Sequence, residues 1–345
     1  MRRLLGSPRG GEGFLSEDRA AAPALIFVLM LLIVGMTTNF AFVGPDNMGN
    51  VLLQITPLLL ISLGQMLVIS TGGLDLSVGS VASLSAVVSA QLFAPLGAPL
   101  AVTAALLLGG LIGLMNGAAV AWGLQPFLVT LATFSIAQGL ALLISPVPGG
   151  DVPDWFLRLA QTWNFIPLAL PAVLLIAVLV NVLLRRTRLG SNMLSVGGSR
   201  QTASDSGIRV SSTLMRTYVL SSLLAAAGGL FLVARTATGD PLIGGRYTLD
   251  SLVAVVVGGT LLAGGRATVA GTVMGAIALG LIPNVLNFAQ IPTFYQTAVK
   301  GAVLLIAITI PLAVTRFLPR RRALRMVEES RSGHLKSAGH SKAPT

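Results

Sequence analysis

Residues 57–93 read PLLLISLGQMLVISTGGLDLSVGSVASLSAVVSAQLF. Two apolar runs flank a polar step, Ser70-Thr71-Gly72-Gly73-Leu74-Asp75-Leu76-Ser77-Val78-Gly79-Ser80. The runs are long and apolar enough for membrane helices, and the step places a carboxylate, hydroxyls and three glycines between them. An ionisable group at such a depth is costly and faces protein or water, not lipid. Asp75 has two readings. It lines a polar break in the pathway, together with Ser77, or it caps the following helix through that helix's first N–H groups.

The rest of the chain is of the same kind. Of 345 residues, 54% are hydrophobic and 10% charged, and mean hydropathy is +0.83. A soluble domain carries about 25% charged residues, so lipid solvates this chain. The net charge of +11 does not point to nucleic acid, because the bases cluster between apolar runs, as membrane topology places them. Cysteine is absent, which removes disulfides and thiolate chemistry. The apolar run 24–35 follows a polar start and has no small-x-small cleavage site behind it, so it reads as a retained first helix.

A bilayer core of about 30 Å takes about 20 apolar residues per helix. Ten helices are expected, at 24–41, 48–70, 74–94, 97–122, 126–146, 165–184, 214–235, 248–264, 267–287 and 293–316, the eighth short. They form one transmembrane domain over 24–316, with a tail before it (1–23) and a basic, disordered tail after it (317–345). With the N-terminus inside, the inner segments hold four, six, one and eight bases, 19 in all. The outer loops hold only Arg158, Arg235 and Arg246, and Lys300 lies within a span. That asymmetry places both termini and the loop 185–216 in the cytoplasm. Gly109, Gly113 and Gly117 share a helix face, as do Gly271 and Gly275, which suits close helix packing. Pro57 should kink or break the second span. Gly72-Gly73 and Gly264-Gly265 each precede a further glycine at equal spacing, a pattern compatible with internal duplication.

Much chemistry is missing. The lysines are Lys300, Lys336 and Lys342, and none follows a glycine, so there is no phosphate-binding loop. There is no Gly-x-Ser-x-Gly elbow. His334 and His340 sit in the polar tail, and no catalytic residue, cofactor or metal is indicated. Transport, a channel or a structural membrane role remain. Polar residues on apolar spans are candidates for the pathway: Gln65, Asn116, Thr133, Gln138, Asn284 and Asn287. Each could instead bond across helices for packing. The long inner loop reads Ser195-Val196-Gly197-Gly198-Ser199-Arg200-Gln201-Thr202-Ala203-Ser204-Asp205-Ser206-Gly207-Ile208. Its stretch Ser199 to Ser206 suits a short helix ended by Gly207, either docking a cytoplasmic partner or lying in a disordered loop.

These stretches resemble the permease subunits of bacterial ABC importers of the ribose/xylose/arabinose/galactose type. Gly72-Gly73-Leu74-Asp75-Leu76-Ser77-Val78-Gly79 is similar to that family's Gly-Gly-Ile-Asp-Leu-Ser-Val-Gly. The loop matches its Gly-Gly-Asn-x-x-Ala-Ala-x-x-Ser-Gly-Ile at Gly197, Gly198, Ala203, Ser206, Gly207 and Ile208, and departs at Ser199 and Thr202. Pro126 to Thr133 resembles Pro-Phe-Ile-Val-Thr-Leu-Gly-Thr. The run from Leu249-Asp250 through Gly258-Gly259-Thr260 to Gly264-Gly265-Arg266 resembles a fourth block. The resemblance covers about 24–316.

The resemblance implies an all-α bundle of the ten-helix, vitamin-B12-importer-like (type II) kind. It implies a second permease subunit, most simply a homodimer. ABC ATPase subunits would dock on the coupling loop at Gly197, Gly198, Ser199, Arg200, Ala203, Ser206 and Gly207. A periplasmic or lipid-anchored binding protein would deliver solute at the inner membrane. A monosaccharide is the expected solute. Nucleosides, branched-chain amino acids or another small polar solute are the alternative, and a self-sufficient carrier or channel a more distant one. Asp75, near the cytoplasmic end of the third helix, is expected to act as gate or hinge more than as a solute ligand, and Ala203 and Gly207 to be small because the ATPase packs against them. The topology predicts that single cysteines introduced at Ser199 and Ser337 resist an impermeant thiol reagent in intact cells while one at Pro153 reacts; labelling of Ser199 from outside overturns it.

Overall fold

The structure, a computed structural model, describes residues 12–292 and individual residues between 294 and 309. The chain divides into two compact units, Met1–Lys300 and Gly301–Thr345. In the second, Gly301, Ala302, Leu305 and Thr309 are helical; the helical bundle belongs to the first. Most of the tenth expected span, the tail 317–345 and the first residues of the N-terminal tail lie outside the described residues.

Eleven helices succeed one another among the described residues: α1 (Glu12–Thr38), α2 (Pro45–Ser70), α3 (Val78–Ala121), α4 (Pro126–Ile144), α5 (Asp154–Leu157), α6 (Leu170–Arg186), α7 (Arg188–Gly198), α8 (Arg200–Asp205), α9 (Val210–Thr236), α10 (Gly245–Val257) and α11 (Val269–Phe288). A two-residue hairpin, β1 (Thr162–Trp163) and β2 (Ile166–Pro167), precedes α6. Six helices are long and apolar enough to cross a membrane among the described residues, or seven if α6 and α7, bent by 69°, count as one span. The chain is thus a helical, polytopic membrane protein.

Several expected boundaries change. Helix α1 begins at Glu12, inside the stretch read as a tail. The third and fourth spans do part where expected, at Gly97 (φ 73°, ψ 163°), but no loop separates them, and α3 covers both. Unbroken it would measure about 66 Å, twice a hydrocarbon core, and Gly97 takes the left-handed backbone that reverses it. The first half runs parallel to α9, with Gly229 against Ala82 and Gly239 against Ala90. The second half runs antiparallel, with Gly109 against Ala226 and Gly117 against Met215. Pro57 neither breaks nor ends α2, which continues to Ser70. The eighth span, expected over 248–264, is the shorter α10, because Gly258 to Ala267 leave the helix in a run of turns.

Helices α2, α9 and the first half of α3 form the core and bury most of their residues, while α4 is largely exposed. Small residues set the spacing, as expected of a bundle without a hydrophobic drive between helices. A Cβ on Gly229 would strike the Ala82 carbonyl, and one on Gly275 the Ala254 carbonyl, whereas one on Gly139 of α4 meets nothing within 4 Å. Accordingly Gly229→Ala and Gly275→Ala should each destabilise the detergent-purified protein by about 1–3 kcal/mol. Gly139→Ala should be neutral or stabilise by up to ~1 kcal/mol, as thermal unfolding will show.

Candidate functional site

Between α2 and α3 the backbone leaves the helix at Gly72 (φ 74°) and turns back into the bundle. Asp75 is fully buried there. Its Oδ1 accepts hydrogen bonds from the Ser77 N–H (2.9 Å) and the Ser77 hydroxyl (2.6 Å). Its Oδ2 faces the Ser221 hydroxyl of α9 at 3.5 Å. The Ser77 Oγ in turn accepts from Asn116 Nδ2 at 3.0 Å, and Asn116 Oδ1 accepts from the Thr133 hydroxyl at 2.6 Å. One chain of bonds thus joins Asp75, Ser77, Asn116 and Thr133, and so ties the break to both halves of α3, to α4 and to α9. Thr130 adds a second link, its hydroxyl 3.2 Å from the Leu74 carbonyl.

One expectation for Asp75 changes. It does not bond the first turn of α3; it holds Ser77, the residue that precedes the helix. It stands beside the start of α3, as expected, and well along α9. Its neighbour Ser221 stands about 16 Å along α9 from Val210, because Leu74 to Ser77 climb back beside the helices they connect.

The other polar candidates lie apart from this chain. Gln138 donates from Nε2 to the Pro241 carbonyl at 2.7 Å, fastening α4 to the segment between α9 and α10. Asn284 and Asn47 exchange amide bonds of 2.9 and 2.7 Å, joining α11 to the start of α2. Asn287 accepts from Gln296 at 2.7 Å. Gln65 is fully buried, and neither atom of its amide finds a partner among the described residues. Sequence reasoning missed Ser221 and Pro241. Ser221 was one hydroxyl among many on α9, and Pro241 acts through a backbone carbonyl, which no residue type signals.

Below the break, three glycine pairs meet. The Gly265 N–H donates to the Ser70 carbonyl at 3.0 Å. A Cβ on Gly197 would collide with that carbonyl and with the Gly265 nitrogen, and Gly264 lies against Gly72. Gly72, Gly264 and Gly265 all have positive φ, so a side chain at any of them meets strain as well as contact. The two Gly-Gly pairs noted for equal spacing therefore touch each other, with the end of α7 packed on them.

From this contact α7 and α8 project. Ser199 caps α8, its hydroxyl accepting from the Thr202 N–H at 3.2 Å, and Gly207 ends the turn with φ 80°. The short helix expected between Ser199 and Ser206 is present. Gly198, Ser199, Gln201, Thr202 and Ser204 to Gly207 are exposed, and Arg200 is half-buried. Ala203 is not on that surface. It is buried with Val68, Val196 and Tyr218 inside the chain's own inner core, which accounts for its small size. Gly207 has nothing within 4 Å, and its backbone angle is what calls for glycine.

Residues 47–308 match the family described as branched-chain amino acid transport system / permease component. The chain belongs to this permease family. It is 36% identical to a probable ABC transporter permease protein of Sinorhizobium fredii, over 92% of this chain and 95% of that one. It is 35% identical to the ribose import permease protein of Escherichia coli K12, over 87% and 94%, and 30% identical to that strain's D-allose transport system permease protein, over 84% and 91%. No solved structure matches it. Family and apolar helices together make it a multi-pass protein of the inner membrane. Within the permease, Asp75→Ala strips Ser77 of two buried bonds and should cost about 1–3 kcal/mol, while Asp75→Asn keeps an acceptor and should cost less; thermal unfolding in detergent measures both.

Proposed function

We propose that this permease is the translocating subunit of an ATP-driven ABC importer for a monosaccharide, working by alternating access. On this reading it has ten spans in the vitamin-B12-importer arrangement, both termini in the cytoplasm, and a second copy as its partner. Two ATPase subunits dock on the surface from Gly198 to Gly207, and a binding protein delivers sugar on the other side. The observation that carries it is the contact of Gly197 with Ser70 and Gly265. A push on α7–α8 reaches, through backbone atoms alone, the break whose far side is held by Asp75 and Ser77. A close-packed contact of this kind passes on a displacement instead of absorbing it.

The coupled element is then the break itself. Asp75, Ser77, Asn116 and Thr133 hold one arrangement of α2, α3 and α4, and ATP-driven movement of the docking helices exchanges it for another. A neutral sugar has no ionic need of Asp75, so its part is to hold the gate. The sugar reading is supported by the names of the ribose and allose relatives, and by that of an arabinose permease of Azospirillum brasilense, 32% identical. The family description speaks instead of branched-chain amino acids, which keeps that solute as the second reading. Uptake of D-ribose, D-allose, L-arabinose and L-leucine by vesicles holding the permease, its ATPase and its binding protein separates the two.

The docking surface has its own test. Ser204 is exposed on α8, and Ser204→Trp should leave the permease inserted yet abolish ATPase co-purification and uptake. Normal assembly and uptake would remove α8 from the interface.

A further inference from the structure

The segment after α9 does not stay at the outer surface. Gly239 lies against Ala86 and Ala90, and five residues later Gly244 lies against Gly79 and Ser83. The chain has therefore descended along α3 into the membrane. The Gly244 N–H donates to the Ser83 hydroxyl at 2.8 Å, and α10 starts at this depth. It runs for thirteen residues, about 20 Å, to the inner turns at Gly258, so its first turn lies inside a hydrocarbon layer of about 30 Å. Arg246, counted as an outer-loop base from the sequence, stands in that first turn, with Asp250 one turn further along the same face.

These residues line a cavity of about 370 Å³ between α2, α9, α10 and α11. Gln54 of α2, Arg235 of α9, Arg246 and Asp250 of α10, Asn287 of α11 and Gln296 beyond it bring polar groups to the cavity. Tyr247, otherwise buried, accepts from Arg246 Nη2 at 2.9 Å. Charged groups at this depth do not face lipid. They face water, protein or cargo, and mark a pathway by default.

The geometry points to a solute-binding station in the outer half of the pathway, built for an uncharged polyhydroxyl molecule the size of a monosaccharide. The size falls in the range of small-ligand pockets. Donors from the two guanidinium groups and the Gln54 amide, and acceptors from the amide oxygens of Gln54 and Gln296, are spread around the wall, as a ring of hydroxyls needs, each of which both donates and accepts. A branched-chain amino acid carries its polarity at one end and would leave most of this wall unpaired. Because the bonds are shared among several groups, none has to hold the solute tightly, so it leaves again. This inference rests on the sugar reading.

The permease has no native cysteine, so Gln54→Cys places a single thiol in the cavity wall. In vesicles holding the full complex, an impermeant thiol reagent added on the binding-protein side should modify it. D-ribose, D-allose or L-arabinose should slow that reaction severalfold, and L-leucine should not. In the otherwise native complex, Asp250→Asn and Arg246→Gln should each cut sugar uptake ~10-fold or more while the ATPase still co-purifies. An unreactive thiol, equal rates with and without all three sugars, or protection by leucine alone overturns the proposal, as does wild-type uptake by either variant. Should a variant fail to assemble, the protection experiment decides by itself. Wild-type vesicles that take up no sugar defeat the sugar reading itself; sugar uptake without protection defeats only this site.

Discussion

A backbone that leaves helical geometry inside a bilayer frees N–H and C=O groups that lipid does not bond, so the protein must satisfy them from its own stock. The break after Ser70 does so with one acidic side chain, one threonine and nearby backbone. The Asp75 carboxyl takes the N–H and hydroxyl of Ser77, and the Ser70 carbonyl takes the N–H of Gly265. The rest of the bundle is arranged around these bonds. Asn116, Thr133 and Ser221 come to the break from three directions, and the glycines of three helix ends bring backbone to backbone beneath it. A side chain at Gly197 or Gly264 would push the docking helices away from the element they are proposed to move.

The membrane class and the local motifs were legible in the sequence because each is written within one short stretch. A run of apolar residues, or an Asp two residues before a Ser at a helix start, needs no partner to be recognised. Asn116 and Thr133 were visible only as separate polar residues on apolar spans. Their bond depends on the reversal at Gly97, which the sequence shows only as a two-residue gap between the third and fourth spans, with no sign of which side chains it brings together. The two Gly-Gly pairs were noticed for their spacing, while the contact between them depends on the whole bundle.

Charge counting assigns every base to the nearest gap between spans and treats the gap as surface. From Gly239 to Gly244 the chain packs along α3 from Ala90 toward Gly79, and on the proposed reading this takes Arg246 below that surface. A cue was present in the pair Arg246 and Asp250, one turn apart in a segment otherwise apolar. Ala203 was read from the wrong side. Its small size was assigned to an incoming partner, when the chain's own core of Val68, Val196 and Tyr218 already demands it.

The bonds of α4 set how that helix is able to move. It reaches the interior through Thr130 to the Leu74 carbonyl, Thr133 to Asn116 and Gln138 to the Pro241 carbonyl. Its other side carries exposed Leu128, Leu131 and Leu143. Sliding by one turn, about 5.4 Å, would part all three bonds together and strand two side-chain amide groups and two backbone carbonyls. Swinging about the line that those bonds define parts none of them. These bonds therefore fix the height of the helix against its neighbours far more firmly than its tilt.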